Sequence, residues 1–170
     1  PELHKLICDC IGDEYLIKPD ELKKLEAFSD DETVLRRLAQ IKRRNKEKFA
    51  QYVKKEYGIT VNTDAIFDVQ VKRLHEYKRQ LLNVLNILHL YLDLKKNPDQ
   101  NFIPRVFFFG AKAAPGYAVA KRIIELINSV SYQINNDPVC KGKLQVFFLE
   151  NYRVSLAEKL MPASEISEQI

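Results

Sequence analysis

The spacing of apolar positions changes near residue 66, and the change divides the chain into two parts. Before it the period is helical. Leu3, Leu6, Ile7 and Ile11 recur at helical steps and stop at Gly12. A longer stripe of Val34, Leu38, Ile41, Asn45, Phe49 and Tyr52 runs to Gly58, with Arg36, Arg37, Arg43, Arg44, Lys54 and Lys55 mostly off it. Glycine suits both ends because it enters the left-handed conformation that closes a helix without a Cβ penalty. Ser29-Asp30-Asp31-Glu32 has the form of a capping box, which predicts Ser29 as the residue that opens the longer helix.

After residue 66, short segments rich in aromatic and β-branched residues alternate with amphipathic helical ones, which predicts βαβαβ. The strands are expected at 66–71, 106–109 and 144–149. The last two are nearly continuous apolar runs, as parallel strands covered on both faces require. The helices are expected at about 76–96, with Leu81, Leu85, Leu88 and Leu92 facing inward, and at 115–134, with Pro115 in the first turn, where its missing N–H is no loss. Asn97-Pro98-Asp99 and Asn135-Asn136-Asp137-Pro138 are return turns. The fold class is therefore α/β, a doubly wound, mostly parallel sheet with an extra helical segment in front. The organisation is one truncated domain over 1–170, helical in 1–60 and βαβαβ in 61–170. Three strands are few for a free-standing sheet of this kind, so neighbouring strands are expected elsewhere in a longer protein.

Composition narrows the picture by exclusion. With 46% hydrophobic and 29% charged residues the chain resembles an ordinary soluble domain. No apolar run reaches the roughly 20 residues of a membrane helix, and the first residues lack a signal peptide's layout, so a cytoplasmic protein without a membrane partner is expected. Cys8, Cys10 and Cys140 lack metal-ligand spacing and are read as reduced, structural thiols. The net charge of +4 is modest, and the basic run between Arg36 and Lys55 has no interleaved exposed aromatics or nucleic-acid motif. No specific nucleic-acid partner is expected.

Open α/β sheets bind ligands beyond the carboxyl ends of their strands, where loops converge and helix amino termini present free N–H groups. That rule selects Lys72-Arg73-Leu74-His75-Glu76-Tyr77-Lys78-Arg79, Gly110-Ala111-Lys112-Ala113-Ala114-Pro115-Gly116 and Glu150-Asn151-Tyr152-Arg153. Each supplies a cation, which suits an anion site with phosphate groups as ligands; solvated helix starts would have the same spacing. The segment from Gly110 to Gly116 is neither a Walker loop nor G-x-G-x-x-G, and no metal cluster or G-x-S-x-G elbow is present in the sequence. His4 and His89 fall in helical patterns and read as surface or structural. His75 and Glu76 lie in the cationic loop, where the pair could orient Arg73 or be an ordinary helix start.

Three longer stretches are more specific. Residues 67–83, FDVQVKRLHEYKRQLLN, residues 110–117, GAKAAPGY, and residues 148–159, FLENYRVSLAEK, occur in order and at compatible spacing. Together they closely resemble the α-glucan phosphorylases, the glycogen, maltodextrin and starch phosphorylase family. The resemblance covers essentially the whole chain, more loosely before Ile66. It implies part of the Rossmann-like carboxyl-terminal domain of a glycosyltransferase B-type fold, and a pyridoxal 5′-phosphate enzyme that releases glucose 1-phosphate from α-1,4-glucan and inorganic phosphate. It implies Arg73 and Lys78 as ligands of the substrate phosphate, Tyr77 as a sugar contact and Lys72 as partner of the cofactor phosphate. Tyr152, Arg153 and Gln169 would line the cofactor ring. The family's Schiff-base lysine lies in a G-N-M-K-type segment beyond Ile170, and its sugar-binding residues belong to the amino-terminal domain. The chain alone is therefore expected to be inactive, and the full-length protein to be a homodimer.

Two alternatives stand beside this reading. A nucleotide-sugar glycosyltransferase of similar fold would use the Arg73 and Lys78 loop for a diphosphate, but that class's own motifs are absent. A non-enzymatic module would bind a polyanion or partner through Arg36, Arg37, Arg43 and Arg44.

Overall fold

A computed structural model describes residues 1–169; Ile170, the last residue of the carboxyl-terminal segment, lies outside them. The elements are α1 (Glu2–Ile11), α2 (Glu32–Tyr57), β1 (Ile66–Val71), α3 (Gln80–Lys96), β2 (Arg105–Gly110), α4 (Ala118–Asn136), β3 (Leu144–Phe148), α5 (Val154–Leu160) and β4 (Ile166–Ser167). Short 3-10 turns precede α3 at Glu76–Lys78 and follow α5 at Met161–Ala163. No helix among the described residues is long and apolar enough to cross a membrane.

The strands form one parallel sheet in the order β3-β2-β1-β4. One core lies on the α3 and α4 side, where Ile87, Leu94, Ile127 and Ile134 meet Phe107, Phe109 and Val146. The other lies on the α2 and α5 side, where Phe49, Val53, Leu156 and Leu160 meet Phe67, Val69, Val106 and Phe108. Alternate residues of β1 and β2 enter opposite cores, as the period of a strand dictates. After β3 the chain crosses back through α5 and lays β4 against the far side of β1. The strand order therefore reverses between β1 and β4, the crevice where sheets of this class bind ligands.

The α/β reading and its three strands agree with the structure, and the differences have local causes. Asp31, not Ser29, opens α2, its carboxylate accepting from the N–H of Thr33 at 2.8 Å and of Val34 at 3.0 Å. One carboxylate oxygen, Asp31 Oδ1, at the residue directly before the first turn satisfies both orphan amides, so the capping box is not needed. Leu38 of the predicted α2 stripe is exposed, and the buried positions are Ile41, Lys46, Phe49 and Val53. Helix α4 begins at Ala118, so Pro115 sits in the preceding turn. The helix expected over 76–96 is broken at Arg79, whose φ of 58° is left-handed, and α3 starts one residue later.

Helix α3 also faces the sheet differently from expectation. Leu81, Leu85 and Leu92 are exposed, and the buried side is Gln80, Asn83, Val84, Ile87, Tyr91 and Leu94. Leucine occurs almost all round α3, so hydrophobicity does not choose a face. The choice falls to β1, which presents Asp68 and Gln70 to this side. Buried polar groups require hydrogen-bonding partners, and turning Gln80 and Asn83 inward supplies them. Strand β4 was invisible in the sequence because its two residues are too few to carry a period.

Candidate functional site

The parallel register brings all four strand ends to one edge. Val71 lies opposite Gly110, Phe109 opposite Phe148, and β4 pairs with β1 through Asp68 and Ile166 and through Val69 and Ser167. Lys72 therefore emerges at the centre of the edge, with residues 110–117 on one side and Gln169 on the other.

The loop after β1 is tied to the loop after β2. Leu74 N–H donates to the Lys112 carbonyl at 3.1 Å. The Tyr117 hydroxyl donates to Glu76 Oε2 at 2.5 Å and accepts from the Glu76 N–H at 3.4 Å. His75 is set between two rings, 4.4 Å from Tyr77 and 5.2 Å from Tyr117 between centroids. The carboxylate holds the Tyr117 hydroxyl proton and pushes its pKa above the ordinary tyrosine value. Glu76 is thus engaged with Tyr117, and of the two readings left open for His75 and Glu76, orientation of Arg73 has no hydrogen bond or ion pair behind it among the described residues.

The loop after β3 meets the same edge over Gly110. A Cβ on Gly110 would stand 2.8 Å from Val71 Cγ1 and 3.3 Å from Tyr152 Cδ2, so only glycine lets Tyr152 lie across the end of β2. Asn151 takes a left-handed φ of 53° just before Tyr152, a conformation asparagine tolerates better than most residues. The Tyr57 hydroxyl donates to the Glu150 carbonyl at 3.3 Å. Burial pushes the Tyr57 pKa up, and the Arg153 charge partly opposes it. Arg153 Nε donates to Ser155 Oγ at 2.9 Å. Arg153 thus stands toward α2 and α5, whereas the Lys78 carbonyl sits above Gln70 on the α3 side.

The three loops of this edge are rich in cations. Lys72, Arg73, Lys78, Arg79, Lys112 and Arg153 number six cations against the two glutamates Glu76 and Glu150 in the three loops. Among the described residues none of the six is in an ion pair. The four arginines of α2 differ. Arg37 pairs with Asp9 at 2.6 Å and Arg44 with Glu2 at 2.8 Å. Arg43 pairs with Glu47 at 2.8 Å and contacts Asp64, and Arg36 reaches Glu32 at 4.0 Å. The four arginines considered for polyanion binding thus each meet a carboxylate, from α2 itself, from α1 or from Asp64, which counts against that use of the helix. The Lys78 ammonium lies 5.5 Å from the centroid of the Tyr77 ring.

The residues implied by the family resemblance occupy this edge in sequence order. Lys72 and Lys78 are half-buried, Arg73 and Tyr77 exposed, Tyr152 half-buried, and Arg153 and Gln169 exposed. Loops 72–79 and 110–117 form one bonded unit; Tyr152 joins it at Gly110, and Gln169 stands at the end of β4. No group of three or more metal-ligating side chains occurs among the described residues. The cysteines are free, and burial pushes the Cys140 thiol up to about 11, which makes it an inert core residue.

Sequence reasoning missed the polar side chains beneath this edge. Gln70, Gln80 and Asn83 are buried, and so is Asp68. The signal was Asp68 and Gln70 alternating with valine and phenylalanine in a strand whose other residues are apolar.

A family profile described as Carbohydrate phosphorylase matches residues 1–170. The chain is 51% identical over 170 residues to glycogen phosphorylase, muscle form, of Bos taurus, and 51% identical to the muscle form of Oryctolagus cuniculus. It is 52% identical to the liver form of Homo sapiens. Each alignment covers 100% of this chain and 20% of the relative, so the chain spans about a fifth of the length of the relatives it matches. With the whole chain matched, the edge of unpaired cations at the strand reversal has a family: the chain belongs to the carbohydrate phosphorylases.

Proposed function

We propose that this chain supplies the phosphate-binding part of the active site of a pyridoxal-phosphate-dependent α-glucan phosphorylase, which transfers the terminal α-1,4-glucosyl unit to inorganic phosphate and releases glucose 1-phosphate. The observation that carries the reading is the convergence of six Lys and Arg residues, none ion-paired among the described residues, on the carboxyl edge of the sheet, whereas Arg36, Arg37, Arg43 and Arg44 of α2 each meet a carboxylate. Unneutralised cations repel one another, and an anionic ligand between them offsets that cost.

The residues present fit a cofactor with a phosphate ester and an aromatic ring. Lys72 and Arg153 are cations without a carboxylate partner among the described residues, and Tyr152 lays an aromatic ring across the end of β2 beside them. When bound, the cofactor's 5′-phosphate would assist proton transfer next to the attacking phosphate. The chain's own residues then have distinct tasks. Arg73 offers a planar fork for two phosphate oxygens, and Lys78 and Lys72 offer compact point charges. Their separation along the edge, Lys78 toward α3 and Arg153 toward α2, suits two anions held side by side. Tyr77, exposed next to Lys78, is placed to meet the sugar, and Tyr152, Arg153 and Gln169 to line the cofactor ring.

The chain on its own is proposed to be inactive, because it covers a fifth of its relatives' length and the resemblance puts the cofactor's lysine and the sugar-binding residues elsewhere. The complete protein is proposed to be a cytoplasmic homodimer acting on phosphate and α-1,4-glucan. The experiment is glucose 1-phosphate release by the complete protein from glucan and phosphate without sugar nucleotide. Release that required a sugar nucleotide would overturn the reading. For the chain alone, a stoichiometric, borohydride-fixed pyridoxal adduct would overturn its proposed inactivity.

A further inference from the structure

Beneath the edge, on the α3 side of β1, three amide side chains are buried: Gln70 and Gln80 at 2% exposure and Asn83 at 8%. An amide in such a place is stable only when its N–H groups and carbonyl find partners, and those partners define a path. Gln70 Nε2 donates to the Lys78 carbonyl at 3.1 Å. Gln70 Oε1 accepts from Asn83 Nδ2 at 3.0 Å, and the same Asn83 nitrogen donates to Glu168 Oε1 at 2.7 Å. Both hydrogens of the Asn83 amide are thereby used. Gln80 Nε2 reaches the Arg73 carbonyl at 3.5 Å, a longer and weaker contact. Glu168 is itself fixed, its N–H donating to the Val69 carbonyl at 2.8 Å.

The turn that receives this support is clasped to Tyr117 at its start, through Glu76, and the amides reach its other end, at Lys78. It is a single 3-10 turn, Glu76–Lys78, ended by Arg79 in the left-handed region. A core of leucines under it would give the backbone no directional bond, whereas an amide fixes one carbonyl at one place. We propose that Gln70 and Asn83 are positioning residues, a buried amide relay that sets the Lys78 turn and locks it to the end of β4, one residue before Gln169. The relay joins the two sides of the strand reversal, so the cation assigned to the substrate phosphate and the residue assigned to the cofactor ring move as one body. This rests on the reading of Lys78 as a phosphate ligand.

The test uses the complete phosphorylase into which this chain fits, with initial rates measured against phosphate and against glucan separately. Gln70→Met keeps length and burial but removes the donor to the Lys78 carbonyl, and Asn83→Ser breaks the relay one step further away. Each is expected to raise KM for phosphate at least about fivefold while KM for glucan changes less than about twofold, since a misplaced cation of this kind loses one contact, worth about 1 kcal/mol or slightly more. Equal changes in both KM values, or none, would overturn the relay, as would failure of both variants to fold, which would make the amides structural only. Lys78→Ala is measured beside them. If it leaves KM for phosphate unchanged, the reading of the site fails; if it raises that KM and the amide variants do not, only the relay fails.

Discussion

Tyr117 and Glu76 share a proton-donating contact of 2.5 Å between loops that leave two different strands. Glu76 follows β1 and Tyr117 precedes α4, so the bond converts two flexible connections into one bonded rim. His75 packs against Tyr117 from the same loop and closes the rim from above. Tyr117→Phe is expected to cost about 1 kcal/mol, the usual net worth of one such bond, and to lower Tm by ~2–4 °C. Faster amide exchange across residues 72–79 but not across α2 would locate the loss. Unchanged exchange in that loop would mean the clasp does not order it.

Gly110 is where a methyl group should be least tolerated. Its Cβ would collide with Val71 Cγ1 at 2.8 Å and crowd Tyr152, whereas a Cβ on Gly116 meets nothing within 4 Å. Gly110→Ala is expected to destabilise by about 1–3 kcal/mol, the ordinary range for overpacking, and Gly116→Ala to leave stability nearly unchanged. Chemical denaturation of the two variants measures the contrast. Equal midpoints would show that Tyr152 does not rest on the end of β2.

The carboxylates of Asp68 and Glu168 meet beside the amide relay, with Arg105 Nη1 3.9 Å from Asp68 Oδ2. Asp68 Oδ1 is buried without a donor among the described residues, so it is satisfied when Glu168 carries a proton. Burial, reinforced by the Asp68 charge, pushes Glu168 up to about 7. A folded-state pKa above the unfolded value contributes stability that is complete below about 4.5 and lost as pH rises through about 7. Unfolding midpoints should therefore fall between pH 5 and pH 8 by this contribution. Glu168→Gln, whose amide donates permanently, should flatten the slope and be more stable than the parent at pH 8. A variant that keeps the full slope would place the titration elsewhere.

Lys46 anchors β4 from the opposite face. Its buried ammonium contacts Glu165 Oε1 at 3.1 Å and the Ala65 carbonyl at 2.5 Å, 4.5 Å from the Phe67 ring centroid. Glu165 in turn accepts from the Phe67 N–H at 2.7 Å. Removing one partner of a buried pair costs about 3–5 kcal/mol, and Glu165 is 31% exposed, so Lys46→Ala is expected at about 2–3 kcal/mol. Protection of the β4 amides should fall before that of β2. Uniform loss across the sheet would mean that Lys46 supports the core generally.

Much of the fold was legible because period is a strong signal where it is long. Val-Phe-Phe-Phe in β2 and Leu-Gln-Val-Phe-Phe in β3 are short apolar runs bounded by turn residues and rich in aromatic residues, the mark of parallel strands, and Gly58 closes α2 with φ 70° as expected. The face of α3 was not legible, because leucines at Leu81, Leu85 and Leu92 outweigh Gln80 and Asn83 in any count of hydrophobicity. The decision came from Asp68 and Gln70 across the interface, and a nonlocal demand of that kind leaves no trace in the helix's own period. The chemistry of the edge was visible as cations at strand ends. That those cations lack carboxylate partners among the described residues, while Arg37, Arg43 and Arg44 have theirs, required the structure.

The Arg73 and Lys78 loop is proposed to bind the phosphate that attacks the glucan. The most direct measurement of this is kcat/KM for phosphate in the complete enzyme carrying Arg73→Ala, with glucose 1-phosphate as the product followed. Loss of a bidentate guanidinium contact to a phosphate in a partly dry site is worth about 3 kcal/mol or more, so a fall of at least about a hundredfold is predicted. A value within twofold of the parent, in a protein shown to be folded, would contradict the account.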